Sequence, residues 1–275
     1  MVSTTNRVNS RLLAGWSICV LILLYLPIAS LFFYGFNAGA FALRWEGFSL
    51  RWYAEALAND ALLTALFNSL AVAMISSLLA VLLGFLYAFW AHRNAGKRLA
   101  GASDSLISLP LFIPEIVIAI GLLVMTVRVF RPTALQLGIP ISSLTAVVLG
   151  HTTLALGYAA LILRTRFKNY DIQQELAARD LGASRWDIFQ HVLLPQIAPA
   201  LAAAACISFA VSLDDFYVSY FLSTGGSSLQ TLPLYIWSLQ GRRAMTPEIN
   251  VVSSILLFIA LGFFTMGLFL NRKTN

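Results

Sequence analysis

The sequence predicts an all-α membrane protein in which six helices cross the bilayer. Of its 275 residues, 59% are apolar and only 11% are charged, against roughly 45–50% and about 25% in soluble domains. The mean hydropathy is +0.80, which leaves too few polar side chains to cover a soluble globule of this size. A soluble enzyme is therefore excluded.

Six apolar runs are long enough to cross about 30 Å of hydrocarbon at about 1.5 Å per residue. They lack the alternation of membrane β-strands, so helices are the structure that satisfies their backbone hydrogen bonds in lipid. The first run exceeds the apolar part of a signal peptide and is expected to remain as an anchor. We predict a single membrane domain over residues 1–275, with spans at about 12–36, 62–90, 106–130, 142–163, 197–222 and 251–270.

The basic residues of the loops predict the orientation of the chain. The loops on one side carry 12 Lys and Arg residues and those on the other side carry 6. The positive-inside rule therefore places both termini in the cytoplasm. The net charge of +6 forms no basic patch, so no nucleic-acid partner is predicted. Cys19 and Cys206 lie in apolar runs and offer no disulfide or zinc framework.

The segment between the fourth and fifth spans is longer than a helical hairpin needs, and it carries the signals of a first short helix. Asp171 and Gln174 have the spacing of a capping box, and Glu175 can pair with Arg179 one turn later. Gly182 then supplies a stop.

A second short helix is predicted directly after that stop. Ser184 and Asp187 have the spacing of a helix start, and the helix would present Trp186 and Phe189. Two small helices with exposed apolar residues and no domain of their own to pack on favour a cytoplasmic partner. The alternative is an interfacial helix pair that rests on membrane lipid.

This loop resembles the EAA loop of permease subunits in bacterial ABC importers, E-A-A-x3-G-x9-I-x-L-P. Here the pattern runs Leu176-Ala177-Ala178, Gly182 and Val192-x-Leu194-Pro195, and Leu176 stands where the motif has glutamate. The resemblance implies a type I ABC importer fold in which the loop, about residues 171–195, seats in a groove of an ATP-hydrolysing subunit. The ATPase-coupling residues that it implies are Glu175, Leu176, Ala177, Ala178, Asp180, Gly182, Trp186 and Pro195.

From about Ala40 onwards the chain is similar to the second permease subunit of spermidine/putrescine importers. The likeness rests on Trp45-x-Gly47-Phe48-Ser49-x-Arg51-Trp52-Tyr53, Ser212-Leu213-Asp214-Asp215, Leu232-Pro233-Leu234 and Pro247-Glu248-Ile249-Asn250. The resemblance implies a bacterial inner membrane location and a heterodimer with a sister permease. It also implies two copies of a cytoplasmic ATPase that bind ATP and Mg, and a periplasmic polyamine-binding protein. No cofactor, metal or catalytic residue is expected in this chain.

Three acids, Glu115, Asp214 and Asp215, lie within predicted spans. A carboxylate at membrane depth costs a few kcal/mol, so it is expected to face a partner or a water-filled cavity. No Lys or Arg lies mid-span to neutralise them, which favours a pathway for a cation. Phe216, Tyr217 and Tyr220 follow the acid pair, and aromatic faces attract ammonium groups.

The two adjacent acids are not expected to play the same role. Successive residues on a helix diverge by about 100°, so one of Asp214 and Asp215 would line the pathway while the other bonds a neighbouring helix. The alternative is that both cap a break in the fifth span or pair with a sister subunit. Pro110 and Pro114 interrupt the third helix beside Glu115, and unwound backbone at depth is tolerated where it lines a cavity.

His151 lies among small and hydroxyl residues. This setting favours an interhelical hydrogen bond over a proton relay.

These observations favour the permease of an ATP-driven polyamine importer. No phosphate-binding G-x4-G-K-[S/T] sequence occurs in the chain, so the energy would come from another subunit. The alternatives are the same machine for thiamine, ferric ion or another small cation, and a proton-coupled secondary carrier. An intramembrane hydrolase is disfavoured because its motifs are absent from the sequence.

Overall fold

The computed structural model describes residues 4–40, 44–94, 96–138, 142–223, 229–240 and 247–272. Within these ranges the chain is helical, and the β-structure is limited to an isolated bridge between Asn37 and Phe48. Arg242, Arg243 and Lys273, which entered the count of loop charges, lie outside the described residues.

The described helices are numbered here in chain order. They are α1 (Thr4–Tyr34), α2 (Arg51–Leu57), α3 (Asp60–Arg93), α4 (Arg98–Ser108), α5 (Glu115–Met125), α6 (Arg131–Gln136), α7 (Ser143–Lys168), α8 (Gln173–Asp180), α9 (Arg185–Ile188), α10 (Leu194–Asp214), α11 (Tyr217–Ser223), α12 (Leu232–Gln240) and α13 (Glu248–Arg272). One 3₁₀ turn and two π-helical segments join some of them, at Leu109–Leu111, Thr126–Phe130 and Phe189–Leu193.

Five helical stretches are long and apolar enough to cross a membrane. They are Leu12–Tyr34, Asp60–Arg93, Glu115–Gln136, Ser143–Lys168 and Arg185–Asp214. A sixth, shorter apolar stretch, Glu248–Ile259, is the first half of α13, whose 25 residues measure about 37 Å. The described residues confirm the predicted all-helical membrane architecture.

Two of the predicted spans contain a break. In the run at 106–130, α4 ends at Ser108 and α5 begins only at Glu115, after Pro114. Proline lacks an N–H group and disfavours helical geometry in the residue before it, so the helix restarts beyond the second proline. In the run at 197–222, α10 ends at Asp214 and α11 begins at Tyr217. Neither run is therefore one continuous helix.

The chain divides into two compact units, Met1–Leu63 with Ile236–Ile259 and Thr64–Tyr235 with Ala260–Asn275. In the first unit, aromatic side chains pack around the end of α1, where Phe33 stacks on Trp45 and Phe36 stacks on Phe48. The first of the segments shared with the polyamine permeases thus forms a local aromatic cluster. That the whole chain forms a single membrane domain stays a prediction.

In the second unit, α7 is the most buried candidate span, with two thirds of its apolar window (67%) inside the protein. It packs against α10, α11 and α4. Small residues allow close approach in this bundle, as membrane helices require. A Cβ atom on Gly150 of α7 would lie 2.5 Å from Val218 Cγ1 and 2.6 Å from Leu222 Cδ1 of α11. The absence of a side chain at Gly150 therefore sets the spacing of α7 and α11.

Candidate substrate pathway and coupling loop

Asp215 lies in the break between α10 and α11, and its side chain is buried. Its backbone is extended, with φ −65° and ψ 126°. Its carboxylate accepts hydrogen bonds from the backbone N–H groups of Val218 (3.4 Å) and Ser219 (3.0 Å). These bonds satisfy donors in the first turn of α11 that have no partner within the helix. Asp215 thus holds the break in the fifth span.

Asp215 also contacts the neighbouring helix α7 through His151. The Nε2 atom of His151 is 3.2 Å from Asp215 Oδ2 and 2.9 Å from Ser219 Oγ, and its Nδ1 atom is 2.7 Å from Ser212 Oγ. Both the histidine and the aspartate are buried. The predicted interhelical hydrogen bond of His151 is therefore present, and it joins the histidine to an acid.

Hydroxyl groups extend this network away from the acid. The Ser76 hydroxyl donates to the carbonyl of Val72 at 2.6 Å, and its oxygen lies 2.9 Å from Ser212 Oγ. Ser212 Oγ is in turn 2.7 Å from His151 Nδ1. The carboxylate of Asp215 therefore has its partners within the protein, in His151 and in two backbone N–H groups of α11.

Asp214 and Glu115 have different surroundings, since both side chains are exposed. Neither forms a hydrogen bond or ion pair among the described residues. Glu115 is the first residue of α5, and it is close enough to Asp214 and Asp215 for their charges to interact. Among the predicted aromatic residues, Tyr217 is exposed and Phe216 stacks on Tyr220 with ring centroids 5.5 Å apart. Two acids thus remain available to a ligand.

A cavity of about 310 Å³ opens at the break in the third span. The unwound segment before α5 forms one wall, and α7 and α10 contribute the other side chains. The lining residues are Pro110, Leu111, Phe112, Ile113, Pro114, Glu115, Leu154, Tyr158 and Val211. Glu115 is the one acid in this lining, and Tyr158 adds a hydroxyl group. The arrangement can hold a chain that is apolar in the middle and positively charged at an end.

The coupling loop begins with α8 and turns at Gly182. Gly182 has φ +84°, a left-handed conformation that L side chains rarely adopt. Ser184 and Asp187 then form a reciprocal capping box that starts α9. The capping box predicted at the other helix does not form. Asp171 Oδ1 accepts from the N–H of Gln173 at 2.9 Å, and the side chain of Gln174 accepts from Gln196 instead.

The second helix of the loop is longer than predicted. It continues from Arg185 through the π-helical segment into α10 and ends only at Asp214, after 30 residues. Pro195 lies two residues after Leu193, the last residue of the π-helical segment. A proline removes a backbone donor and crowds the preceding turn, and the wider π turn relieves that crowding. The second short helix predicted for the loop is therefore the first part of the helix that forms the fifth span.

The residues of the coupling loop divide into an outward and an inward set. Leu176 (43% exposed), Leu181 (89%) and Trp186 (62%) present apolar surface. Ala177, Asp180 and Pro195 are also exposed, and Ala178 is half-buried. Glu175, by contrast, is 1% exposed.

Glu175 forms its bonds inside the protein. Its carboxylate accepts two hydrogen bonds from Arg93 Nη2, at 2.8 and 2.6 Å, and one from the Tyr170 hydroxyl at 2.9 Å. The ion pair predicted with Arg179 is longer, at 3.8 Å. Sequence reasoning missed Arg93, since it lies 82 residues away and no local spacing connects the two.

A second acid–arginine–tyrosine group, also missed from the sequence, lies in α3, α4 and α7. Asp104 accepts hydrogen bonds from Arg164 Nε at 3.0 Å and from the Tyr87 hydroxyl at 2.5 Å. Burial opposes the ionisation of Asp104, but the bonds from Arg164 and then from Tyr87 outweigh it and hold the pKa of Asp104 below its usual value. This group joins three helices without the coupling loop.

The helical architecture and the coupling loop are those of an ABC importer permease. Residues 80–274 match the family described as binding-protein-dependent transport system inner membrane component, and the chain belongs to that family. It is therefore a transport permease subunit of the inner membrane and not an enzyme.

Among similar proteins, the chain is 34% identical over 256 residues to the spermidine/putrescine transport system permease protein PotC of Escherichia coli K12, covering 92% of this chain and 91% of that protein. It is 32% identical over 247 residues to the putrescine transport system permease protein PotI of the same strain, covering 88% and 85%. A probable molybdenum ABC transporter permease of Haloferax volcanii is 33% identical over 241 residues, covering 86% and 80%.

Solved structures share the fold at lower identity. A bacterial alginate ABC transporter in complex with its substrate-bound periplasmic protein matches with a TM-score of 0.69 and 18% identity, covering 98% of this chain and 95% of that one. The MetNI methionine transporter in an inward-facing conformation matches with a TM-score of 0.59 and 18% identity, covering 78% and 95%. These likenesses confirm the predicted ABC importer permease fold.

Proposed function

We propose that this chain is a permease subunit of an ATP-driven importer that moves a polyamine, such as putrescine or spermidine, from the periplasm to the cytoplasm. The observation that carries the proposal is the pair of unpaired acids, Glu115 and Asp214, at the two helix breaks. Asp215 is held by His151 and by two backbone N–H groups, so these two carboxylates are the ones left to a cationic substrate. The names of the bacterial relatives support the same substrate class.

The cavity beside Glu115 supports a slender cation. Its volume of about 310 Å³ lies at the lower end of ligand pockets, and apolar side chains dominate its lining. Carboxylates in such surroundings attract ammonium groups and repel anions. This argues for a polyamine over an anionic substrate.

The proposal includes partners that ATP-driven import requires. We place the outward set of the coupling loop, Leu176, Leu181 and Trp186, against a cytoplasmic ATPase that is present in two copies and binds ATP and Mg. A sister permease would complete the pathway, and a periplasmic polyamine-binding protein would deliver the substrate. The excess of Lys and Arg in the loops on the side of the termini supports cytoplasmic termini.

Uptake by the reconstituted complex tests the substrate. The permease is co-expressed with its sister permease, ATPase and binding protein, and proteoliposomes are given labelled putrescine, spermidine, thiamine or ferric ion. We expect ATP-dependent uptake of a polyamine alone.

A variant at the cavity tests the role of its acid. Glu115→Gln should reduce polyamine uptake by about tenfold, since it removes one charge at the cavity. The control is Asp60→Asn, a change at an exposed acid at the start of α3. Uptake of thiamine or ferric ion in place of a polyamine would refute the assignment.

Docking of the ATPase is tested at the turn of the coupling loop. A β-carbon at Gly182 strains the left-handed backbone, so Gly182→Val should abolish substrate-stimulated ATP hydrolysis while the complex still assembles. Leu176→Ala should weaken ATPase association more than added salt does, because the contact there is apolar. Normal stimulation in Gly182→Val would contradict the placement of the ATPase on this loop.

A further inference from the structure

Glu175 lies in α8 of the coupling loop, but its side chain is turned away from the surface on which a partner would dock. It is 1% exposed, and its three closest polar contacts come from Arg93 and Tyr170. Arg93 is the last residue of α3, and Tyr170 lies in the link between α7 and α8. The three side chains, called here the Glu175 clamp, tie α8 to the ends of two membrane helices.

The other residues of α8 contact the rest of the protein less extensively. It packs on α9 and on the π-helical segment, and the other residues of α8 are exposed or half-buried. Within the clamp, Glu175 and Tyr170 are buried and the Arg93 side chain is 32% exposed. The bonds from Arg93 are charge-assisted, and such hydrogen bonds are short and strong. Burial, and then the hydrogen bond to Glu175, raises the pKa of Tyr170, so its hydroxyl keeps its proton and continues to donate.

We propose that the Glu175 clamp transmits the movement of the coupling loop to α3 when the ATPase closes. The inference rests on the proposed function and adds a second route, since α9 already continues into the fifth span. Arg93 and Tyr170 act through Glu175 as positioning residues and do not contact substrate or ATPase. A displacement of α8 would then pull the cytoplasmic end of α3 with it.

The group formed by Asp104, Arg164 and Tyr87 provides a matched control. It also combines a carboxylate, an arginine and a tyrosine, with Asp104 in place of a glutamate, and it joins α3 to α4 and α7. It contains no residue of the coupling loop. A variant at Arg164 therefore tests what loss of a comparable internal ion pair does to the protein without touching α8.

The first test compares transport with ATP hydrolysis in the full reconstituted complex. Arg93→Met should lower the number of polyamine molecules moved per ATP by about tenfold, and Tyr170→Phe by about threefold. The ATPase should still co-purify with both variants. Arg164→Met should lower the amount of complex recovered and leave this ratio unchanged. A normal ratio in Tyr170→Phe, or in an assembled Arg93→Met complex, overturns the proposal. The proposal is also overturned if these variants lose the ATPase on purification to the same extent as they lose substrate-stimulated ATP hydrolysis. That result would make Glu175 a docking residue.

A second test does not depend on the substrate. Spin labels are placed at two exposed positions, Leu86 of α3 and Gln173 of α8, after Cys19 and Cys206 are replaced by serine. In the otherwise native complex, the distance between the labels should be the same without nucleotide and with ATP trapped. Arg93→Met should broaden or shift the distribution of distances between the labels. A distance that changes between the two states in the native complex overturns the clamp, whereas a native complex that moves no polyamine refutes only the proposed function.

Discussion

Asp214 and Asp215 are neighbours in the chain and have opposite surroundings. Asp215 is buried, caps α11 and pairs with His151, whereas Asp214 is exposed. The difference arises because α10 ends at Asp214 and the backbone of Asp215 is extended, so their side chains diverge. Two identical neighbouring side chains can therefore separate into one that holds a helix break and one that stays exposed.

The largest expected effect is the loss of stability when Asp215 is replaced. Asp215→Ala leaves His151 and two backbone N–H groups of α11 without their partner, and each unsatisfied buried donor costs about 1–3 kcal/mol. The change should therefore prevent stable assembly or lower the thermal stability of the solubilised permease strongly. Asp214→Ala is the control and should leave stability within about 0.5 kcal/mol of the native protein. Equal loss of stability in both variants would break the comparison.

The second effect concerns the close approach of α7 and α11, which brings His151 to Asp215. Gly150→Ala would place a methyl group 2.5 Å from Val218 Cγ1, and overpacking of this kind costs about 1–3 kcal/mol. The matched variant is Gly121→Ala in α5, where a Cβ atom meets nothing within 4 Å. Thermal unfolding of the two variants side by side measures the difference. Equal melting temperatures would show that α7 and α11 adjust freely.

The third effect should appear in transport and not in stability. Asp214→Asn keeps the shape of the side chain and removes its charge, and we expect polyamine uptake to fall by about tenfold, equivalent to about 1.4 kcal/mol. Basal ATP hydrolysis and thermal stability should not change. Native uptake rates in this variant would mean that Asp214 carries no part of the pathway.

The smallest effect is the loss of stability expected when Ser212, which contacts His151 Nδ1, is replaced. Ser212→Ala removes the partner of His151 Nδ1, and an unsatisfied buried donor costs about 1–3 kcal/mol unless water replaces the hydroxyl, so a loss near 1 kcal/mol is expected. Ser208→Ala, one turn earlier in α10, is the control because its hydroxyl is 3.5 Å from the carbonyl of Ala155. If Ser208→Ala destabilises the protein as much as Ser212→Ala, the contact between Ser212 and His151 adds no stability beyond that of an ordinary buried serine.

The sequence predicted the helical class and the turn at Gly182 between two helices, because both depend on local composition and spacing. The prolines also predicted the interruption of the third span beside Glu115. The break in the fifth span has no proline or glycine, and its one local signal is Asp215 two residues before the first residue of α11. An aspartate that caps a helix was an alternative from the sequence, but spacing does not distinguish it from a ligand-facing acid.

Long-range partners could not be predicted. Helical periodicity gives the angle between Glu175 and Leu176 but does not say which side faces the protein, since that depends on where α3 ends. The continuity of α9 with α10 was missed for a different reason. Pro195 favours a helix start, and the π-helical segment that accommodates it has no recognised sequence signature.

The uninterrupted helix from Arg185 to Asp214 has a mechanical consequence. Its 30 residues span about 45 Å, from the turn at Gly182 to the exposed carboxylate of Asp214. A displacement at the Gly182 end therefore reaches the acid through one hydrogen-bonded rod and crosses no side-chain interface. Because a rod tilts as a whole, the position of the turn at Gly182 and the position of Asp214 are geometrically locked to each other.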